Sequence, residues 1–144
     1  MNRYNQSVLI DSGFWIALFE EKDANHGRAA EAVWLLEDCQ IILPWPTLYE
    51  FVNTRLARRK SNLSAFENWL LRPNVELFDD ANFREKALES TFESNRFQMP
   101  PLSLVDAVLN EILADESLKI HGLITFNRGD FQAICLARRI EIFP

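Results

Sequence analysis

Short apolar runs rich in β-branched residues recur along the chain and alternate with segments whose apolar positions repeat every three to four residues. Ser7 to Ile10 is the first such run, and it stops at Asp11-Ser12-Gly13, the pattern of a buried strand followed by a turn. Runs of the same kind lie at Gln40 to Leu43, Val75 to Phe78, Leu123 to Phe126 and Ile140 to Phe143. Helical periodicity covers Gly27 to Glu37, Thr47 to Arg59, Asn62 to Leu71, Asp80 to Ser94, Ser103 to Glu116 and, more briefly, Asp130 to Arg138. Strands alternating with helices predict parallel pairing through right-handed crossovers. No linker rich in Gly, Ser or Pro divides the chain, no repeat is visible, and the Pro100-Pro101 pair sits just before a helix start. The expectation is one α/β domain over residues 1–144, with a central parallel sheet of about five strands flanked by helices.

In such sheets ligands bind in the crevice beyond the carboxyl ends of the strands. Four acids are predicted at that edge. Asp11 follows the first strand directly, Glu50 lies in the first turn of the helix starting near Thr47, and Asp106 lies in the first turn of the helix starting near Ser103. Asp130 follows the Leu123 to Phe126 strand by a few residues, with Asn127 between them. Each acid has an ordinary structural explanation. Thr47-x-x-Glu50 and Ser103-x-x-Asp106 match the capping box, and Asp11 and Asp130 suit helix N-caps. Capping does not explain why the acids interrupt apolar stretches such as Val8-Leu9-Ile10-Asp11-Ser12-Gly13-Phe14-Trp15 and Leu102-Ser103-Leu104-Val105-Asp106-Ala107-Val108-Leu109. Those flanks predict carboxylates partly shielded from water. Shielded carboxylates gathered together raise one another's pKa or share a cation, and hard oxygen ligands favour Mg²⁺ or Mn²⁺. That donor set suits metal-assisted phosphoryl transfer, in which a bound water becomes the nucleophile.

Composition narrows the setting. With 144 residues, 48% apolar and 12% aromatic, the chain can bury a full core without disulfides or a structural metal. Cys39 and Cys135 form no CxxC pair, which fits a reducing, cytoplasmic location. The apolar run Val8 to Phe19 is interrupted by Asp11 and lacks a following cleavage site, and nothing approaches a membrane span, so a soluble protein is expected. A net charge of -6, concentrated after residue 72, argues against a basic nucleic-acid coat. It leaves room for local contact through Arg55, Arg58, Arg59 and Lys60, a basic run read as following Glu50 on the same helix. The same run also suits an ordinary solvated helix end. His26 and His121 are too far apart to suggest a zinc pair, and Phe14, Trp15, Trp34, Trp45 and Trp69 read as core or subunit-interface residues rather than base-stacking platforms.

These pieces, in this order, resemble a PIN-domain ribonuclease of the VapC toxin type. The likeness runs nearly end to end: Val8-Leu9-Ile10-Asp11-Ser12 before a hydrophobic helix, Asp23-Ala24-Asn25-His26 before an Ala-rich helix, Pro46-Thr47-Leu48-Tyr49-Glu50-Phe51-Val52, Pro101-Leu102-Ser103-Leu104-Val105-Asp106-Ala107, and Leu123-Ile124-Thr125-Phe126-Asn127-Arg128-Gly129-Asp130-Phe131. The resemblance implies a PIN-like domain with a five-stranded parallel sheet and Mg²⁺- or Mn²⁺-dependent endoribonuclease activity. It also implies a homodimer and inhibition by a cognate antitoxin. Asp11, Glu50 and Asp106 match the family's metal-ligating acids. At the fourth position many relatives read Thr-x-Asp where this chain has Asn127, with an acid three residues on at Asp130; others read Asn-x-x-Asp-Phe. Asp130 is the expected fourth acid, with Asn127 as a neutral ligand or supporting partner and Ser12 and Thr125 as supporting hydroxyls. Two alternatives stand beside this reading. One is a catalytically silent PIN-like module that binds a partner protein. The other is a receiver-like phosphoacceptor, which needs a paired acid after the first strand and a late Lys that this chain lacks.

Overall fold

A computed structural model describes residues 4–97 and 101–144. Five strands, β1 (Gln6–Ile10), β2 (Cys39–Pro44), β3 (Val75–Phe78), β4 (Gly122–Ile124) and β5 (Glu141–Phe143), form one sheet in the order β3-β2-β1-β4-β5. Every pair is parallel, with Val8 opposite both Ile41 and Gly122. The chain winds outward from β1 in one direction through β2 and β3, then crosses back to lay β4 on its other side. The expected α/β architecture therefore holds, and the order reverses between β1 and β4, the place where such sheets open a crevice.

Eight α-helices accompany the sheet among the described residues: α1 (Ser12–Phe19), α2 (His26–Ala32), α3 (Trp45–Phe51), α4 (Thr54–Ala57), α5 (Lys60–Leu70), α6 (Arg84–Phe97), α7 (Leu104–Ala114) and α8 (Arg128–Arg138). The period-two alternation of β1 sends Val8 and Ile10 to one face and Leu9 to the other. Val8, Ile10, Ile41 and Leu43 pack with Phe14, Trp15, Leu48, Phe51, Phe66 and Trp69 from α1, α3 and α5. Leu9, Ile42 and Leu123 pack with Ala87 of α6, Val108 and Ile112 of α7, and Phe131 and Cys135 of α8. Each large apolar side chain fully buried in these layers contributes about 1.5–3 kcal/mol. Trp15 sits at the centre of the first layer, edge-on to Phe14, Phe66 and Trp69.

Several element boundaries differ from expectation, each for a local reason. The helix expected over Thr47 to Arg59 is two helices: Val52 leaves helical geometry, and Asn53 caps α4 by accepting from the Leu56 N–H. An Asn whose side chain can cap a backbone amide favours a new helix start over continuation. The basic run is therefore not on the helix of Glu50. The segment Gly27 to Glu37 divides into α2 and a 3-10 turn, Val33–Leu36. The Asp80 helix begins only at Arg84, because Asp79 first turns the chain by accepting from the Ala81 N–H. β4 ends two residues earlier than expected, although the Thr125 N–H still bonds to the Phe143 carbonyl. Of the Pro100-Pro101 pair, Pro100 lies outside the described residues. Phe14, Trp15 and Trp69 are buried as expected, whereas Trp34 and Trp45 are exposed. His26 bonds the Ala17 carbonyl through Nδ1, and His121 Nδ1 accepts from the Ser7 N–H. His26 is half-buried and His121 is exposed.

Candidate active site

Asp11 lies just past β1 at the point where the strand order reverses, and it is almost fully buried. It occupies the N-cap position of α1 without making the side-chain cap bond. Its carboxylate is held instead by Thr125, just past β4, whose hydroxyl donates to Oδ2 at 2.9 Å. The Asn127 N–H donates in turn to the Thr125 hydroxyl at 3.0 Å, which fixes the direction of that proton. Ser12 Oγ donates to Glu50 Oε1 and stands 3.4 Å from Asp11 Oδ1, so one hydroxyl lies between two acids. Burial pushes the Asp11 carboxyl above its ordinary range; bonds from Thr125 and Ser12 pull the other way, and the neighbouring Glu50 charge adds to the rise.

Glu50 is not part of a capping box. Its helix starts at Trp45 with Pro44 as N-cap and Pro46 in the first turn. Thr47, the expected cap, is fully buried with its hydroxyl unpartnered. Asp106 does sit in half of one, since Ser103 Oγ accepts from the Asp106 N–H at 3.1 Å. That bond uses the backbone amide and leaves the carboxylate of Asp106 to face the other acids. Burial pushes this half-buried carboxyl up to about 7; the charge of Asp11 adds to the rise, a Ser103 hydrogen bond opposes it, and Asp130 contributes both charge and a hydrogen bond. Asp130 lies in the first turn of α8 and receives the Asn127 side-chain amide. Ser12, Thr125 and Asn127, the three residues expected to support the site, thus connect Asp11, Glu50 and Asp130, and Asp106 joins them through Asp130.

The arrangement has the chemistry of a cation site. Its donors are hard carboxylate oxygens, and among the described residues no basic side chain is bonded to them to relieve their mutual repulsion. No three Asp, Glu, His or Cys side chains of the described residues form a ready-made metal cage. Hydrogen bonds hold the acids in pairs: Asp11 with Glu50 through Ser12, and Asp106 with Asp130. Such pairs still fit Mg²⁺, which uses one or two carboxylates and keeps several waters.

The basic run is partly engaged elsewhere. Arg55 and Arg59 both bind Glu20 Oε2, at 2.7 and 2.8 Å. Burial pushes the Glu20 carboxyl up, but Arg59 and Arg55 outweigh it and hold it below the usual range. Arg58 and Lys60 are exposed. Residue-by-residue reading of the sequence missed Asn110, whose amide donates to the carbonyls of Asp106 at 2.9 Å and of Asp130 at 3.1 Å. Its position one helical turn after Asp106 was the available signal.

The five-stranded parallel sheet and its flanking helices have the fold of the PIN-domain VapC toxins. The chain is similar to VapC20 of Mycobacterium tuberculosis, a sarcin-ricin loop cleaving toxin, at 27% identity and a TM-score of 0.66, covering 88% of this chain and 94% of that one. VapBC2 from Rickettsia felis, solved bound to a DNA fragment from its promoter, shares the fold at 12% identity and a TM-score of 0.61 over 95% of this chain and 97% of that one. FitAcB from Neisseria gonorrhoeae aligns at 15% identity and a TM-score of 0.50, over 95% and 96% of the two chains. No family model and no curated sequence matches the chain.

Proposed function

We propose that this protein is a Mg²⁺- or Mn²⁺-dependent endoribonuclease and the toxin of a toxin–antitoxin pair. The observation that carries the reading is the buried Asp11 at the strand-order reversal, ringed by Glu50, Asp106 and Asp130 and bonded by Thr125 and Ser12. The likeness to a sarcin-ricin loop cleaving toxin supports RNA as the substrate class.

Asp11, Glu50, Asp106 and Asp130 would hold the cation. When bound, such an ion supplies a water of lowered pKa and neutralises charge on the phosphodiester. The chain's own residues prepare the site. Thr125, its proton direction fixed by the Asn127 N–H, holds Asp11 Oδ2 in place. Ser12 keeps Glu50 beside Asp11. Asn127 holds Asp130 by its carboxylate. Exposed Arg58 and Lys60 would meet RNA phosphates, with Arg55 and Arg59 held by Glu20.

Two partners complete the reading. Tyr49, Leu88 and Leu104 are exposed around a mainly apolar groove of about 510 Å³ between α3, α6 and α7, a face suited to a second copy of the chain. A cognate antitoxin follows from the family likeness. A cytoplasmic location agrees with two free cysteines, and no helix among the described residues is long and apolar enough to cross a membrane.

The decisive experiment is RNA cleavage by the purified protein, freed of any antitoxin, with Mg²⁺ or Mn²⁺ and with chelator. Wild type should cut only with the metal, and Asp11→Asn and Asp106→Asn should each abolish cutting. Cleavage that survives both the substitutions and the chelator refutes the proposal.

A further inference from the structure

Helices α7 and α8 both start at the catalytic edge and run side by side into the second core layer. Their far ends are fastened by Arg138, which donates to the Leu113 carbonyl at 2.5 Å and the Asp115 carbonyl at 3.0 Å. Their near ends carry Asp106 and Asp130, each in the first turn of its helix. One side chain spans the gap: the Asn110 amide reaches from α7 to the Asp130 carbonyl on α8 while also bonding the Asp106 carbonyl.

We propose that Asn110 is a positioning residue of the candidate metal site, a clasp that holds the first turns of α7 and α8 together so that Asp106 and Asp130 act on one cation. The inference rests on the metal reading above. Asn110 acts on the backbone of both acids and touches neither substrate nor metal. Partners of this kind around a metal site are worth about 10–100-fold in metal affinity.

The test is Mn²⁺ binding to the RNA-free, full-length protein, measured by calorimetry alongside thermal unfolding in chelator. Asn110→Ala should weaken Mn²⁺ binding about tenfold. Asn110→Leu, which fills the same space without a donor, should show the same loss if the alanine variant folds poorly. Arg138→Ala removes the far fastening and should lower the melting temperature while leaving Mn²⁺ affinity unchanged. Asn110 variants that bind Mn²⁺ like wild type overturn the proposal, as does an Arg138→Ala loss of affinity equal to theirs. Wild-type protein that binds no Mn²⁺ overturns the metal reading itself, and the wild-type arm separates that failure from the failure of the clasp.

Discussion

Replacing Asp106 by Asn should stabilise the metal-free protein, and by an amount that depends on pH. Asp106 titrates near 7 in the folded chain against an ordinary value of 3.8. At about 1.4 kcal/mol per pKa unit, a rise of about three units corresponds to at most about 4 kcal/mol of folded-state penalty on the ionised form. The side chain is only half-buried, and water screens such interactions, so about 2 kcal/mol is the expected effect. The sign follows from proton counting. Between pH 4 and 7 the folded state holds a proton on Asp106 that the unfolded chain has released, so wild-type stability falls as pH rises through that window. Above pH 7 both states are ionised and the penalty is fully present. Asp106→Asn removes it, so in chelator at pH 8 the variant should melt about 5 °C above wild type. Near pH 4 the two should nearly coincide, because a protonated Asp and an Asn differ little. The raised pKa of Asp11 leaves a residual slope of the same sign in both proteins. Mn²⁺ should reverse the order at pH 8, because a cation bound only by the folded state stabilises wild type. A variant less stable than wild type in chelator at pH 8, or a difference independent of pH, would refute the reasoning.

Three further outcomes test other parts of the structure. Thr47→Val replaces a fully buried, unpartnered hydroxyl with a methyl group of the same shape and should stabilise the fold by about 1 kcal/mol in urea unfolding; a loss of stability would mean that the hydroxyl has a partner in solution. Gly122→Ala would place a Cβ 3.1 Å from Val8 Cγ1 and 3.2 Å from Phe143 Cε2, between β1 and β5, and should cost about 1–3 kcal/mol by the same measurement. Arg58→Ala combined with Lys60→Ala should weaken RNA binding in chelator and flatten its dependence on salt, by about 0.7 in log–log slope for each phosphate that is no longer neutralised. An unchanged slope would remove these two residues from the RNA path.

The strands were legible because a four-residue, mainly apolar run between turn residues has few other uses, and Val75–Phe78 forms with the bounds its run predicts. Asp11, Glu50 and Asp106 were legible because each breaks an apolar stretch beside a predicted helix start, and Asp130 because it follows a predicted strand by a few residues. What the chain hid was the local competition for backbone hydrogen bonds. Asn53 reads as a polar position inside a helix, yet its side chain caps a new one and carries Arg55, Arg58 and Arg59 off the helix of Glu50. The capping-box pattern was equally ambiguous: half of it is made at Ser103 and Asp106, and it is absent at Thr47 and Glu50, where Pro44 and Pro46 start the helix earlier. Partners distant in sequence were also out of reach. Nothing near Glu20 announces that it takes both Arg55 and Arg59, and nothing near Asn110 announces the Asp130 carbonyl.

The bond from Thr125 to Asp11 joins residues 114 positions apart, and Asp130 lies later still. A chain being synthesised at about 5–20 residues per second therefore displays Asp11 and Glu50 for several seconds before the rest of the pocket exists. The first half carries most of the apolar layer on β1 and β2 but only half of the acids. A nascent or truncated chain lacking α8 thus lacks Asp130 and carries an incomplete pocket. For a protein read as a toxin, the cell gains an interval at every round of synthesis in which a partner can engage the emerging surface before the first cut is possible.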